Sequence, residues 1–265
     1  MLKKINKYWQ IWRMIATRAL QETMLNRWTN LVFFLGKAVR FIVSITFLFI
    51  IKDNLTSLAG YNAKQIVVFF IIYNLIDLAA QVLYRGTYTF QEEVRTGNFD
   101  LQLVKPIHPL WQALIGKPDI NDFFFLLVSG SISLYLINDL GFVISGQNLL
   151  IFAFLFLNSM LIATALHILV LSATVYFVQI DNLIWIYRDT TRMGQYPVKI
   201  YQQPLKAILS FVIPVAFMMT IPAEALLGVK PSYSLSLTFS IGLSTFLLSL
   251  FVWKKSLKKY SSASS

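Results

Sequence analysis

Lysine and arginine in this chain sit almost entirely on alternate polar stretches between long apolar ones. Of the 23 basic residues, 18 fall in segments 1–30, 85–120, 181–206 and 254–265. The intervening connections 52–64, 141–147 and 222–233 carry three, and the last two, Lys37 and Arg40, lie inside an apolar stretch. Basic loops stay on the cytoplasmic side of a membrane. The asymmetry therefore predicts an all-α membrane protein with six transmembrane helices and both termini in the cytoplasm. Its parts are an N-terminal interfacial helix over 1–27, a six-span region over 28–253 and a basic cytoplasmic tail over 254–265.

Composition agrees. The chain is 57% hydrophobic and 13% charged, about half the charged fraction of a soluble domain, roughly 25%. A net charge of +11 would suit nucleic acid if the basic residues formed one stripe. They flank apolar spans instead, which suits anionic lipid headgroups and excludes nucleic acid as a partner. The chain has no cysteine, so it has no disulfide, thiolate nucleophile or cysteine–metal site. No short apolar core with a small-residue cleavage site follows the basic N-terminus, so no removable signal peptide is expected. The serines of 261–265 read as a disordered tail.

Along residues 3–24, Ile5, Tyr8, Trp9, Trp12, Ile15, Ala19 and Met24 recur at helical spacing, with Lys3, Lys4, Lys7, Arg13, Arg18 and Gln21 between them. Such a helix lies in the headgroup plane. The first span covers 28–51 and the second 64–84. The inside segment 85–120 holds a short helix at 88–96, a glycine stop at Gly97 and a return broken by Pro106, Pro109 and Pro118. The third span covers 121–137. Residues 148–178 are apolar for about 46 Å of helix, longer than the ~30 Å hydrocarbon core. The charge rule requires one long helix there, because two spans would put the following basic residues outside. Residues 181–204 read as a second inside segment at the membrane surface. The fifth span, 205–221, is interrupted by Pro214. Beyond it Pro222, Glu224, Gly228 and Pro231 bracket an apolar stretch that reads as an outer segment dipping back into the membrane. The sixth span covers 233–253.

Several chemistries are missing from the sequence. There is no Gly-x-x-x-x-Gly-Lys-[Ser/Thr] phosphate loop and no Gly-x-Ser-x-Gly elbow. The two histidines, His108 and His167, have no partner at metal-ligand spacing. No catalytic residue, metal site or cofactor is expected in this chain. His108 reads as a surface residue and His167 as a neutral packing residue within a span.

Charges inside the bilayer cost about 2.5–3.5 kcal/mol each on insertion scales. Lys37 lies ~13 Å along the first span from its inner end, and Asp77 ~12 Å along the second. Equal depth predicts a Lys37–Asp77 pair between adjacent helices, with Arg40 one turn deeper near Asn74. The alternatives are that Lys37 snorkels to the inner headgroups, or that these residues form a substrate or proton site.

The run Gln195-Tyr196-Pro197-Val198-Lys199-Ile200-Tyr201, then Ile213-Pro214-Val215-Ala216-Phe217, then Ile221-Pro222-Ala223-Glu224-Ala225-Leu226-Leu227-Gly228, resembles the ABC-2-type permeases. The loop pattern from Gly97 to Pro106 is similar to a six-span bacterial branch of that family. The resemblance implies the membrane subunit of a type V-like ABC exporter in the bacterial cytoplasmic membrane. It implies two permease subunits, identical or homologous, paired with two copies of a separate ATPase that holds ATP and magnesium. It also implies that 88–96 is a coupling helix, with Glu92, Glu93, Arg95, Gly97, Asp100 and Pro106 facing the ATPase. Pro222, Glu224 and Gly228 would lie in an outer re-entrant segment, where Glu224 caps a helix or meets cargo. A competing reading is a proton-coupled secondary transporter using Asp77, His167 and Glu224. An intramembrane enzyme and a structural protein without transport are further alternatives.

Overall fold

The computed structural model describes the backbone of residues 2–54, 57–177 and 182–260, and the side chains of residues 6–50, 57–177 and 182–260. The tail Ser261–Ser265 lies outside these residues, as do the side chains of Lys3, Lys4, Ile5, Asp53 and Asn54. The described chain is helical except for one hairpin. Helices α1 (Leu2–Leu25) and α2 (Arg27–Asn54) precede strands β1 (Ser57–Leu58) and β2 (Tyr61–Asn62). The strands pair antiparallel, Ser57 opposite Asn62 and Leu58 opposite Tyr61. Then come α3 (Ala63–Leu83), three short helices α4 (Thr87–Arg95), α5 (Asn98–Leu103) and α6 (Pro109–Ile115), and the long α7 (Ile120–Asp139) and α8 (Gly146–Tyr176). Helix α9 (Leu183–Arg192) leads through 3₁₀ turns at Met193–Gln195 and Val198–Ile200 to α10 (Leu205–Ala207). Two π-helical runs, Ile208–Val212 and Ala216–Thr220, precede α11 (Ile221–Leu226) and α12 (Leu235–Lys259).

Five of these elements are long and apolar enough to cross a membrane, and six if the bent pair Leu205–Val212 and Ala216–Leu226 counts as one. The protein is therefore an all-α membrane protein apart from its two-residue strands. The long apolar stretch is one helix, α8, as the charge pattern requires.

Caps fix where the helices begin. Asn62 and Gln65 form a capping box at α3, each side chain accepting from the other's backbone N–H at 2.9 Å. Asp119 caps α7, Ser145 caps α8 and Ser234 caps α12. Gly97, at φ +74, ends the α4 turn in the left-handed region.

Helix α8 is the spine, and α12 packs along it. Their contact is lined by small residues, Thr238, Gly242, Ser249 and Ser256, all buried on α12. Without a hydrophobic drive between helices in lipid, close backbone approach supplies the packing energy. Asn158 of α8 donates to the Thr238 carbonyl at 3.2 Å, and its Oδ1 lies only 2.1 Å from where a Cβ on Gly242 would sit. Helix α3 is also central, with 72% of its most apolar stretch buried, against 11% for α2. The buried trio Phe90, Phe99 and Trp253 joins α4 and α5 to α12, with ring centroids 4.9–6.4 Å apart.

Two sequence expectations are corrected. First, residues 182–200 of the expected inside segment 181–204 do not stay at one end of the bundle. The Asn182 amide meets Gln91 on α4 at 3.1 Å. Arg188 meets Asp77 at 3.4 Å, the Val198 amide meets Thr220 at 3.3 Å, and Lys199 meets Glu224 at 3.5 Å and sits 5.0 Å over the Tyr61 ring. Tyr61 and Asp77 are sixteen residues apart, about 24 Å along helix. The segment therefore runs the length of α3. It is too polar to read as a span, but it is packed within the bundle with its charges facing carboxylates.

Second, the interrupted fifth span expected at 205–221 and the dipping stretch expected after it form one bent pair. The chain bends by 72° between Val212 and Ala216. Pro214 lacks an amide donor and pushes Ile213 to an extended backbone, φ −117 and ψ 91. Pro222 sits harmlessly in the first turn of α11, continuous with 216–220. Both limbs return to the β-hairpin end: Ser210 bonds Tyr233 at 3.2 Å, and Glu224 bonds Ser232 at 2.6 Å.

Gly242→Leu should separate α8 from α12 and lower stability by about 1–3 kcal/mol, whereas Gly36→Leu on α2, where an added Cβ meets nothing within 4 Å, should be neutral. Unfolding temperatures of the two purified variants in detergent would check this.

Candidate functional site

Two polar centres lie within the helix bundle. The first joins α2, α3, α7 and α9. Lys37 donates to Asp122 in the first turn of α7, and Asp122 is fully buried. Arg85, just beyond α3, reaches Asp119 at 3.3 Å and Asp122 at 3.7 Å. Asp77 accepts from Gln81 at 2.7 Å and pairs with Arg188 at 3.4 Å. The predicted Lys37–Asp77 pair is thus replaced by two others. Helix α7 starts at the end from which α2 enters and sets Asp122, in its first turn, within reach of Lys37, while α9 brings Arg188 to Asp77.

Between these pairs lies a cavity of about 120 Å³. Lys37, Arg40, Asp77, Arg188 and Arg192 are on its wall, and Phe41, Phe70 and Phe125 are its apolar sides. Asn74 shares the wall with Arg40, and its amide donates back to Phe70 at 2.9 Å. Arg192 pairs with Asp189 at 3.4 Å, yet its buried Nε has no hydrogen-bond partner.

The second centre is at the hairpin end. Glu224 is fully buried and takes hydrogen bonds from the Tyr61 hydroxyl, the Ser232 hydroxyl and the Ser232 amide. Lys199 completes it at 3.5 Å. Burial pushes the Tyr61 hydroxyl above its usual range, and the hydrogen bond to Glu224 adds to this. This geometry makes Glu224 an internal tie, a role the sequence reading of helix cap or cargo contact did not include: the carboxylate joins α11, the following loop, the β-hairpin and the 3₁₀ turn at 198–200. Gly228 turns at φ +66 against Asn148 of α8.

The expected ATPase-facing residues are grouped on α4, α5 and the turn after them. Glu92 and Arg95 are exposed and Asp100 is partly so, while Glu93 is held internally by Lys117 at 2.7 Å and Gln102 at 2.5 Å. Pro106 accepts from Lys7 at 3.1 Å, and the His108 amide donates to Tyr8 at 3.0 Å. Tyr8 also packs edge-on against Trp111 at 5.0 Å, so α1 is fastened to this cluster. His108 is exposed, as expected. His167 is buried between the rings of Tyr84 and Tyr187, with Nδ1 donating to the Ala163 carbonyl at 2.7 Å. That is a packing arrangement on a helix, with no second ionisable side chain in hydrogen bond to it among the described residues.

A family model described as ABC-2 family transporter protein matches residues 38–264. The chain belongs to this family. It is a multi-pass membrane permease of the ABC transporter class, and both polar centres fall within the matched region, except Lys37, one residue before it. No curated protein matches the chain.

Sequence reasoning missed Asp122, Asp119, Arg85 and Tyr61 as site residues. Asp119 and Asp122 stand at the boundary of the third span, where an acid is common, so the sequence carries little signal for them.

Asp122→Asn should strand Lys37 and cost about 3–5 kcal/mol, because breaking one side of a buried pair leaves an uncompensated charge. Lys37→Met together with Asp122→Asn should recover most of that loss. Unfolding temperatures of the single and double variants would check both outcomes.

Proposed function

We propose that this ABC-2 permease is the membrane subunit of an ATP-driven exporter in the bacterial cytoplasmic membrane. A separate ATPase in two copies, carrying ATP and magnesium, would bind its cytoplasmic face, and a second permease, identical or homologous, would complete the path. Six crossings are α2, α3, α7, α8, the polar segment 182–200 and α12, with both termini inside. Helix α1 lies in the inner headgroup plane, with Trp9 and Met24 exposed on it. The bent pair 205–226 is an outer re-entrant hairpin, supported by the return of both its limbs to the Tyr61–Ser232 end.

The observation that carries this reading is the contact between the cytoplasmic cluster and the interior. Tyr88 of α4 lies under the Arg85 guanidinium at 5.0 Å and the Arg188 guanidinium at 5.7 Å. Gln91, one turn on, accepts from the amide of Asn182. A push on α4 therefore reaches the Asp77–Arg188 pair directly and the start of the polar crossing at the same time. ATP-driven closure of the partner subunits would bias the permease between inward-open and outward-open states. Glu92, Arg95, Asp100 and the exposed Leu101 form the gripping surface. Glu93 acts behind it, fixing α4 to α5 and Lys117.

Glu92→Ala with Leu101→Ala should leave expression and folding intact while reducing co-purification of the ATPase and ATP-driven transport at least tenfold. Topology is tested separately. The native chain has no cysteine, so single cysteines report cleanly. Gln203→Cys and Lys230→Cys should react with an impermeant maleimide in intact cells, whereas Lys258→Cys should react only after permeabilisation. A Gln203→Cys variant labelled only from inside would remove the polar crossing.

A further inference from the structure

The cavity between α2, α3 and α9 is electrically unbalanced. Four cations, Lys37, Arg40, Arg188 and Arg192, share its wall with one carboxylate, Asp77. Asp122 takes up the charge of Lys37 from behind the wall, and Asp77 that of Arg188. Arg40 has no carboxylate within 4.0 Å among the described residues. Arg192 is answered only by Asp189, whose side chain is 69% exposed, and its buried Nε lacks an acceptor. A guanidinium is a planar fork suited to oxyanions, and two of them here have donors to spare. The volume, about 120 Å³, equals roughly four waters at ~30 Å³ each, enough for one phosphate or carboxylate group. Phe41 and Phe125 border it on the side of α2, whose outer surface is apolar and exposed along most of its length.

We propose that this cavity binds the anionic head, phosphate or carboxylate, of an amphiphilic molecule, with Arg40 and Arg192 as its principal ligands and the apolar tail lying along α2. As a statement about cargo this rests on the transport reading above, while as a statement about binding it does not.

The purified full-length chain in dodecyl maltoside would be titrated with dodecyl phosphate, inorganic phosphate and dodecyltrimethylammonium, with apparent Kd taken from the rise in unfolding temperature. Dodecyl phosphate should bind at least tenfold more tightly than either of the others. Arg40→Gln with Arg192→Gln should weaken it at least tenfold, and Arg40→Lys with Arg192→Lys, which keeps both charges, should hold it within about threefold. Equal affinity for the cationic amphiphile, or binding untouched by the glutamine pair, would overturn the site. Equal affinity for inorganic phosphate would overturn the amphiphile. The two readings fail separately: binding as stated without ATPase co-purification sinks the exporter alone, and co-purification without anion binding sinks the cavity proposal alone.

Discussion

A charge in hydrocarbon must be answered by another charge, and the interior of this permease is organised by that requirement. Lys37, Arg85 and Arg188 each stand beside an aspartate. The pairs tie α2 to α7, the end of α3 to the start of α7, and α9 to α3. Lys37 and Arg188 each have a single carboxylate, so breaking either pair leaves an ion whose desolvation nothing repays, and those helices cannot shift independently without a partner being exchanged. Apolar packing alone would not specify this arrangement, since lipid tails solvate leucine as well as another helix does. The charges select which helices meet, and the small face of α12 selects how closely α8 approaches.

The legible part of the fold was its long apolar helices. Helices α2, α3, α7 and α8 begin and end within about three residues of the positions that hydropathy and charge indicate, and α12 runs six residues further, to Lys259, because a helix set among lipid tails and other apolar helices must be apolar on most sides. The short helices after α3 were legible for a different reason: Gly97 and the prolines at 106 and 109 act locally on the backbone and need no tertiary context. The path of 182–200 along α3 was hidden because only part of its girth is exposed. Ile184, Tyr187 and Thr191 are buried against the bundle, a three-to-four-residue period that was available but outweighed by counting Arg188, Arg192 and Lys199 as loop charges. The same residues that ordinarily mark a cytoplasmic loop were here the groups being paired inside.

The pairing error has a similar origin. Depth along a helix is readable from sequence, and it placed Lys37 and Asp77 at one level. Which helix stands between two others is not readable from depth. Asp122 lay near the boundary of a span, where an acid draws no notice, and only the packing of α7 against both α2 and α3 shows that it takes Lys37.

One segment touches every part that transport would have to coordinate. Residues 182–200 begin on Gln91 of α4, pass the Asp77 cavity with Arg188 and Arg192, press Gly194 against Val215 and Met219 of the bent pair, and end at Glu224 with Lys199. A Cβ on Gly194 would lie 2.7 Å from Val215 and 2.8 Å from Met219, so the chain is already at closest approach there. A displacement begun at α4 therefore cannot be absorbed by slack in the middle. It must move the π-helical limbs or loosen the Glu224 tie at the far end. π-helical runs are the natural place for such give, since their wider turn is readily exchanged for α. Two discrete arrangements of one strut, closed on Glu224 or released from it, would give the α4 end a direct hold on the hairpin end.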